Sequence, residues 1–263
     1  SLTSAIAVDV AHNAGPLLLA ENRITCTVGS GVALQLAVNG VDPSVTLVHN
    51  NMIIGGSSTR GMVLMGVCAG LGILHNSIST TSGRGVEISA AGTGNLFVGN
   101  ALRSGVHPLY HSGPLTFTTN DHNVFHSTGT SWVHWNGTNY TDIHVLRCAT
   151  GQHMRSLQVD PSFVDPAADL HVQPDSPCLG RGLAWPGVTA DIDGHARSWP
   201  ALSAPDIGAD EVNGVCAPLA GTYLLGPSPT AHFATFAAAM ARMGACGIAG
   251  PVVFEVESIS AIK

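Results

Sequence analysis

Apolar and polar positions recur in a fixed order along residues 17–125. An Asn followed two residues later by an apolar side chain occurs five times, 23 to 29 residues apart. A Gly that opens an apolar segment follows 9 or 10 residues later, and an apolar pair shortly precedes the next Asn. The five residues are Asn22, Asn51, Asn76, Asn100 and Asn123. Three short apolar segments per repeat predict an all-β parallel β-helix with three short strands per coil.

The Asn positions predict a ladder at one corner of this helix. Alternate side chains of each short strand point inward, where the apolar residues stack from coil to coil. We expect the Asn residues themselves to take a left-handed or bridge conformation, which Asn tolerates, and their stacked amides to hydrogen-bond along the ladder. The alternative is that the five phrases recur by chance in a loop-rich sandwich.

The pattern divides the chain into three parts. Residues 1–145 are predicted to form the coils, with residues 5–10 as a first strand, and the pattern loosens after residue 125. Residues 146–212 are predicted to be the end region of the β-helix. Four prolines between residues 161 and 177 would stop regular stacking there, so this region is expected to terminate the helix. Asn136 and Asn139 open N-x-T sequons, which are interpreted as turns or as glycan acceptors.

Residues 213–263 are predicted to be a separate unit with one amphipathic capping helix between strands at 221–226 and 251–256. A Ser-Pro-Thr sequence at 228–230 suggests the helix start, apolar residues follow at helical spacing, and Gly244 is a candidate C-cap. The unit resembles the start of a further β-helix module. It could pack on the first coil of another copy, head to tail, or the chain could be cut from a longer protein. The expected assembly interface comprises Phe233, Phe236, Met240, Met243, Val252 and Phe254.

An ordered set of motifs lies in the end region. A Ser156-x-x-x-Asp-Pro-x-Phe163 phrase is followed by Asp169-Leu-His-Val and Ser-Pro at 176–177. Asp191-Ile-Asp-Gly-His-Ala-Arg197 and Asp206-Ile-Gly-Ala-Asp-Glu211 come next. This set, over residues 145–212, resembles the end region of right-handed parallel β-helix proteins that bacteria secrete or display, a pectate-lyase-like repeat family. The resemblance implies an extracellular or cell-surface protein, often with a surface sorting domain, but no particular activity.

Composition narrows the possible partners. Of 263 residues, 45% are hydrophobic and only 10% are charged, against about 25% in an average protein. The formal net charge is -7 and the only lysine is Lys263, which argues against nucleic acid as a partner. No apolar run is long enough for a membrane-spanning segment. The expected partners are other copies or neighbouring modules of the same protein, and a polysaccharide is the alternative.

Candidate chemistry is sparse in the coils. Glu21, Asp42, Glu87 and Asp121 do not form a convincing pair for glycoside hydrolysis. His49, His75 and His122 lie near the ladder, where they are interpreted as solvent-facing turn residues rather than metal ligands. No cofactor is expected, although Asp191, Asp193 and Asp206 are weak calcium candidates, with turn capping as the alternative. The aromatic residues suited to stacking on sugars are Tyr110, Trp132, Trp135 and Tyr140.

Six cysteines occur without a C-x-x-C motif, and Cys216 and Cys246 are the candidate disulfide pair. With no catalytic residues identified, the sequence favours a non-catalytic structural or adhesive extracellular module, an adhesin or fibre component. A carbohydrate-active lyase or glycosidase, or a carbohydrate-binding β-helix, is the alternative.

Overall fold

The computed structural model describes residues 5–13, 15–27, 29–40, 42–197, 204–212, 219–226, 231–233 and 235–257. In chain order the elements of the coils are β1 (Ile6–His12), β2 (Leu17–Ala20), β3 (Arg23–Cys26), β4 (Val32–Val38), β5 (Thr46–His49), β6 (Met52–Gly55), β7 (Arg60–Leu64), β8 (Gly72–Leu74), β9 (Ser77–Thr80), β10 (Val86–Ile88), β11 (Asn95–Val98), β12 (Ala101–Ser104), β13 (Leu109–His111), β14 (Phe117–Asp121), β15 (Val124–Ser127), β16 (Val133–Trp135), β17 (Thr138–Tyr140), α1 (Ile143–Thr150) and β18 (Leu157–Gln158). They are followed by β19 (Phe163–Asp165), β20 (Asp169–Val172), β21 (Leu219–Leu225), α2 (Phe236–Cys246) and β22 (Ile248–Val256).

Every third strand of the coils stacks in parallel on the last. β1, β4, β7, β10, β13 and β16 form sheet A, with β17 added antiparallel at its end. Sheet B contains β2, β5, β8, β11 and β14, and sheet C contains β3, β6, β9, β12, β15 and β18. The predicted fold class, an all-β parallel β-helix with three short strands per coil, is confirmed.

The core lies inside the three sheets and is built from the inward residues of every strand. Burying each Leu, Ile or Phe contributes about 1.5–3 kcal/mol, so this stacked interior supplies most of the driving force. The fully buried inward side chains include Leu34, Leu36, Ile53, Met62, Leu64, Ile73, Ile78, Phe97 and Phe125. Cys26 and Cys68 are buried in the same cluster as free thiols.

The asparagine ladder runs along the corner between sheets B and C. Asn76 Oδ1 accepts the backbone N–H of Asn51 at 3.1 Å and its Nδ2 at 2.9 Å. Asn76 Nδ2 in turn donates to the carbonyl of Val48 at 2.9 Å, which ties the ladder to the strands. The last member, Asn123, donates its backbone N–H to Ser156 Oγ at 3.0 Å. The ladder therefore satisfies backbone groups that each turn removes from the sheets.

The left-handed residue of each turn is not the ladder Asn but the residue before it, which corrects the expectation. The ladder Asn is the second residue of the turn, and its side-chain amide faces the equivalent amides of the neighbouring coils. The left-handed residues and their φ angles are Glu21 (60°), Asn50 (51°), His75 (48°), Gly99 (71°) and His122 (54°).

Helix α1 covers the core at the end of the coils, and the sequence analysis did not predict it. The side chain of Asp142 caps its N-terminus by accepting the backbone N–H of His144, and Gly151 ends it in the left-handed conformation. Ile143 and Leu146 are buried within the inner core cluster. The end of the stack is therefore closed by a helix rather than by the proline-rich region.

The end region instead lies along the outside of the coils. We call residues 157–212 the return segment, of which residues 198–203 are not described. On sheet C the outward-facing Met52 and Ile54 pack with Phe163, Ile192 and Ile207 of this segment. The expectation that this region terminates the helix at its end is wrong, because sheets B and C have apolar outer faces that require a cover.

A second contact covers the outer face of sheet B. Leu47, Leu74 and Leu96 point outward there and pack against Val188, with Trp185 adjacent. Sheet A has no equivalent apolar cover among the described residues. Its outward side chains range from the exposed Asp9 to the buried Val63.

The C-terminal unit is a small β-α-β arrangement, in which β21 and β22 pair in parallel around α2. The helix begins later than expected, with Thr235 as its N-cap, and it is Gly247 that follows its last residue. Gly244 therefore lies inside the helix, and Phe233 precedes it. The expected start at residues 228–230 lies outside the described residues.

Candidate functional site

The outer face of sheet A carries one continuous row of side chains. Strand register aligns them in neighbouring coils because outward positions stack directly in a parallel sheet. The row, here called the outer row, is Asp9, Gln35, Val63, Glu87, Tyr110, His134 and Asn139. Because it aligns polar and aromatic groups along one face of the coils, it is the first candidate site.

Charged groups in the middle of this row neutralise one another. Glu87 is bridged by Arg84 at 3.0 Å and by Arg60 at 3.6 Å. The guanidinium of Arg84 also lies 3.4 Å from the centroid of the Tyr110 ring, a cation–π contact. The other stacking partner of Tyr110 is His134, with parallel rings 4.1 Å apart. The Tyr110 ring is thus already engaged by two protein groups.

The aromatic residues expected to stack on sugars do not form a platform. Trp135 faces inward and stacks on His111 at 4.2 Å. Trp132 and Tyr140 are partly buried against the inner core. Only Tyr110 lies on the outer row, so the sequence cluster after the coils does not become an aligned sugar-binding surface.

No carboxylate pair for glycoside hydrolysis forms on this face within the described residues. Asp9 and Glu87 share the outer row but are three strands apart, about 14 Å at one strand spacing per coil. Hydrolysis requires carboxyl groups about 5–10 Å apart. Asp121, at the ladder corner, instead accepts the backbone N–H groups of His122 and Arg155. The coil carboxylates therefore have charge-pairing and turn-capping roles.

The histidines beside the ladder are buried, which corrects their assignment as solvent-facing. The ring nitrogens of His75 lie 3.0 Å from the carbonyl of Leu183 and 3.3 Å from that of Asp206, both in the return segment. Burial, reinforced by the nearby Arg197, lowers the pKa of His49 to about 4. These neutral rings form part of the buried interface between the coils and the return segment.

Arg197 is the central charged group of that interface. It is buried and donates to Asn50 Oδ1 at 2.7 Å, to the Gly208 carbonyl at 2.7 Å and to Glu211 at 3.2 Å. Burial and the neighbouring Glu211 raise the pKa of Asp206, whose carboxylate accepts the backbone N–H groups of two loop residues. The network binds the end of the return segment to the second coil.

Of the three calcium candidates, Asp191 and Asp193 lie close together, whereas Asp206 lies apart from them. Asp191 accepts the backbone N–H groups of Asp193 and His195, and Asp206 belongs to the Arg197 network. Asp193 instead bridges Arg23 at 2.8 Å and His171 at 2.7 Å. Turn capping and ion pairing account for these contacts.

The sequence analysis named Asp191 and Asp193, but it did not bring His171 and His195 to the same cluster. The potential ligand atoms of His171, Asp193 and Asp210 lie within 4.8 Å of one another, as do those of Asp191, Asp193 and His195. Partial burial opposes protonation of His171, but hydrogen bonds to Asp169 and Asp193 outweigh it and raise its pKa. Within this cluster, Arg23 pairs with Asp193, and His171 pairs with Asp169 and Asp193.

Three residues of the expected assembly interface pack together in the C-terminal unit. Phe254 contacts Phe233 and Phe236, with ring centroids 6.2 Å and 5.6 Å apart. Phe236 and Met240 remain 58% and 47% exposed. Met243 and Val252 are half-buried.

Cys246 is disulfide-bonded, whereas the other described cysteines are free. The expected partner, Cys216, lies outside the described residues. The described helices include none long and apolar enough to cross a membrane.

Comparison with known proteins identified no relative. No protein-family model, curated protein or solved structure matches the chain.

Proposed function

We propose that this chain is a non-catalytic structural or adhesive β-helix module that acts outside the cell or on its surface. The observation that carries this proposal is the pairing of the polar groups on the outer row. Glu87 is neutralised by Arg60 and Arg84, and among the described residues no second carboxylate lies within catalytic distance on that face. The ladder amides hydrogen-bond within the fold and the corner histidines are buried. The coils would then act as a structural rod.

Two further features favour an extracellular location. The ordered motifs of the end region resemble those of secreted bacterial β-helix proteins. Cys246 is disulfide-bonded, and structural disulfides persist in oxidising compartments. Mass spectrometry of the natively produced protein, before and after reduction, tests this part of the proposal. A fully reduced protein in its native compartment would argue against an extracellular location.

Carbohydrate binding is the second candidate, and one observation favours it. A cavity of about 340 Å³ opens beside the outer row between Arg60 and Arg84, and Ser30, Ser58 and Ser82 line it from three successive coils. Hydroxyl and guanidinium groups repeated along the axis suit hydrogen bonding to a polymer with repeating hydroxyl groups.

A polysaccharide panel separates the two functions. The chain is incubated with neutral and acidic polysaccharides while new reducing ends and unsaturated products are measured, and a glycan array records binding. We expect no turnover. Turnover that Glu87→Gln abolishes, while the exposed and remote control Asp175→Asn retains it, would overturn the non-catalytic proposal.

A further inference from the structure

Histidine and carboxylate groups from three parts of the return segment meet at one point. His171 lies on β20, Asp193 lies in the turn that Asp191 caps, and Asp210 lies near the end of the segment. The potential ligand atoms of these three residues lie within 4.8 Å of one another. Two ligand atoms on one tetrahedral ion are about 3.3 Å apart, because each lies about 2.0–2.2 Å from the ion. Modest side-chain adjustments would therefore bring all three groups onto a single ion.

Asp210 is a buried carboxylate without an ion-pair partner. The residue is only 7% exposed, and the backbone N–H of Val172 donates to its Oδ2 at 2.9 Å, its sole hydrogen bond among the described residues. No ion pair to it occurs within the described ranges, where Arg23 and His171 pair instead with Asp193. Burial and two neighbouring carboxylates raise the pKa of Asp210. A cation beside this group would offset the cost of burying its charge.

His171 has the orientation of a metal-binding histidine. Its Nδ1 is hydrogen-bonded to the carboxylate of Asp169, and its Nε2 lies 2.7 Å from Asp193 Oδ2. Histidines that bind metals usually donate their other ring N–H to a carboxylate, which fixes the ring. An ion at Nε2 would take the place of the proton between Nε2 and Asp193, and that proton would be released to solvent.

The second set of potential ligands is less suited to an ion. The ligand atoms of Asp191, Asp193 and His195 also lie within 4.8 Å of one another. However, Asp191 Oδ1 already accepts the backbone N–H groups of Asp193 and His195, and its Oδ2 accepts that of Glu211. The His195 side chain is 54% exposed, so burial does not hold it in place. The set that contains Asp210 is therefore the stronger candidate.

We propose that His171, Asp193 and Asp210 bind one divalent transition-metal ion, and that the bound ion cross-links the return segment. An imidazole combined with two carboxylates favours Zn²⁺ over Ca²⁺ or Mg²⁺, which take oxygen ligands. Arg23 must turn away from the ion, since its guanidinium group lies 3.3 Å from His171 Nε2 and 2.8 Å from Asp193 Oδ1. Its side chain is 53% exposed, so solvent can receive it. Binding to the folded state alone would stabilise that state.

Calorimetric titration of the metal-stripped whole chain with zinc chloride tests the proposal. A Cys148→Ser background removes the exposed free thiol. We expect one equivalent of Zn²⁺ to bind and to raise the thermal midpoint. Asp210→Asn keeps an oxygen that can accept the Val172 N–H but loses the charge, so it should weaken Zn²⁺ binding by about tenfold or more. Asp175→Asn, at an exposed residue of the same segment, is the matched control and should bind like the parent.

Two further variants distinguish a metal site from a cluster of ion pairs. His171→Gln should weaken Zn²⁺ binding by about tenfold or more. Arg23→Gln removes a competing positive charge and should tighten it by about threefold or more, which loss of a purely structural ion pair would not do. Circular dichroism verifies that each variant folds. Absence of binding at one equivalent, parent-like affinity in Asp210→Asn or His171→Gln, or unchanged affinity in Arg23→Gln would each overturn the proposal.

Discussion

Truncating one buried rung of the ladder should destabilise the protein far more than truncating its first rung. Asn76→Ala removes the acceptor for the backbone N–H of Asn51 at 3.1 Å and for its Nδ2 at 2.9 Å. It also removes donors to the carbonyls of Val48 and Leu74 and to Asn100 Oδ1. Five hydrogen bonds are therefore lost inside the protein.

The magnitude follows from which groups keep a partner. Asn51 Nδ2 still donates to two carbonyls, and Asn100 Oδ1 still accepts the backbone N–H of residue 76. The backbone N–H of Asn51 loses the side-chain acceptor it has now. One unsatisfied buried donor costs about 1–3 kcal/mol, and each lost bond about 0.5–1.5 kcal/mol, partly offset by relaxation. We expect Asn76→Ala to lower the free energy of unfolding by about 3–5 kcal/mol.

Asn22→Ala is the matched control because Asn22 opens the ladder. Its Nδ2 donates to the Ala20 carbonyl and to Asn51 Oδ1, and no preceding rung depends on it in the described residues. We expect a loss of about 1 kcal/mol. Equilibrium urea unfolding followed by far-ultraviolet circular dichroism measures both variants. Equal effects, or a loss below about 1 kcal/mol for Asn76→Ala, would refute the assignment of stability to the ladder.

Three further substitutions have definite expected outcomes. Gly99→Ala places a Cβ 2.8 Å from a buried imidazole ring at a φ of +71°. Its thermal midpoint should therefore fall well below that of Gly137→Ala, where φ is also positive, at +86°, but the added Cβ meets open space. Arg197→Ala should lower the free energy of unfolding, measured in urea, by about 3–5 kcal/mol and expose the return segment to proteolysis. Arg23→Ala, at a half-exposed residue, should lower it by under about 1 kcal/mol. Similar losses for the two variants would contradict this contrast. Burial lowers the pKa of His153 to about 3, so its neutral form contributes stability above pH 6.5 that is lost as the pH falls. Between pH 6.5 and 4.5, the parent should lose about 2 kcal/mol more than His153→Phe, and parallel pH curves would show that His153 does not contribute.

The coils and their ladder could be predicted because they depend on a local, repeated relation. Each rung bonds to the next only 23 to 29 residues away, so one turn repeats the chemistry of the last. The left-handed position was less visible, because its five occupants include Glu, Asn, His and Gly. These residues share only a left-handed backbone angle, and no single residue type identifies that angle in the sequence.

The return segment could not be placed because its partners are distant in sequence. Arg197 meets Asn50 across 147 residues, and Asp193 meets Arg23 across 170. One signal was nevertheless present: the run 52–54, Met-Ile-Ile, is apolar at consecutive positions, as expected for a strand buried on both faces.

The candidate site was predictable only in part. Tyr110 and Glu87 were visible as isolated residues, but their alignment with Arg84 depends on strand register. Helix α1 had readable signals in Asp142 and Gly151, which flank eight residues with apolar positions on one side. The surrounding strand pattern and the polar tract before it obscured those signals.

The return segment also changes how the rod should respond to force and heat. A stack of coils alone has nearest-neighbour contacts only, so its terminal coil can fray while the others remain folded. Here the return segment runs along the outside of the coils, from β18 in the last coil to its contact with Arg23 in the first. Because the buried Arg197 ties this segment to Asn50 in the second coil, unfolding of that coil would also release contacts of the segment, and the coils from the second onward should unfold as one cooperative unit rather than one by one.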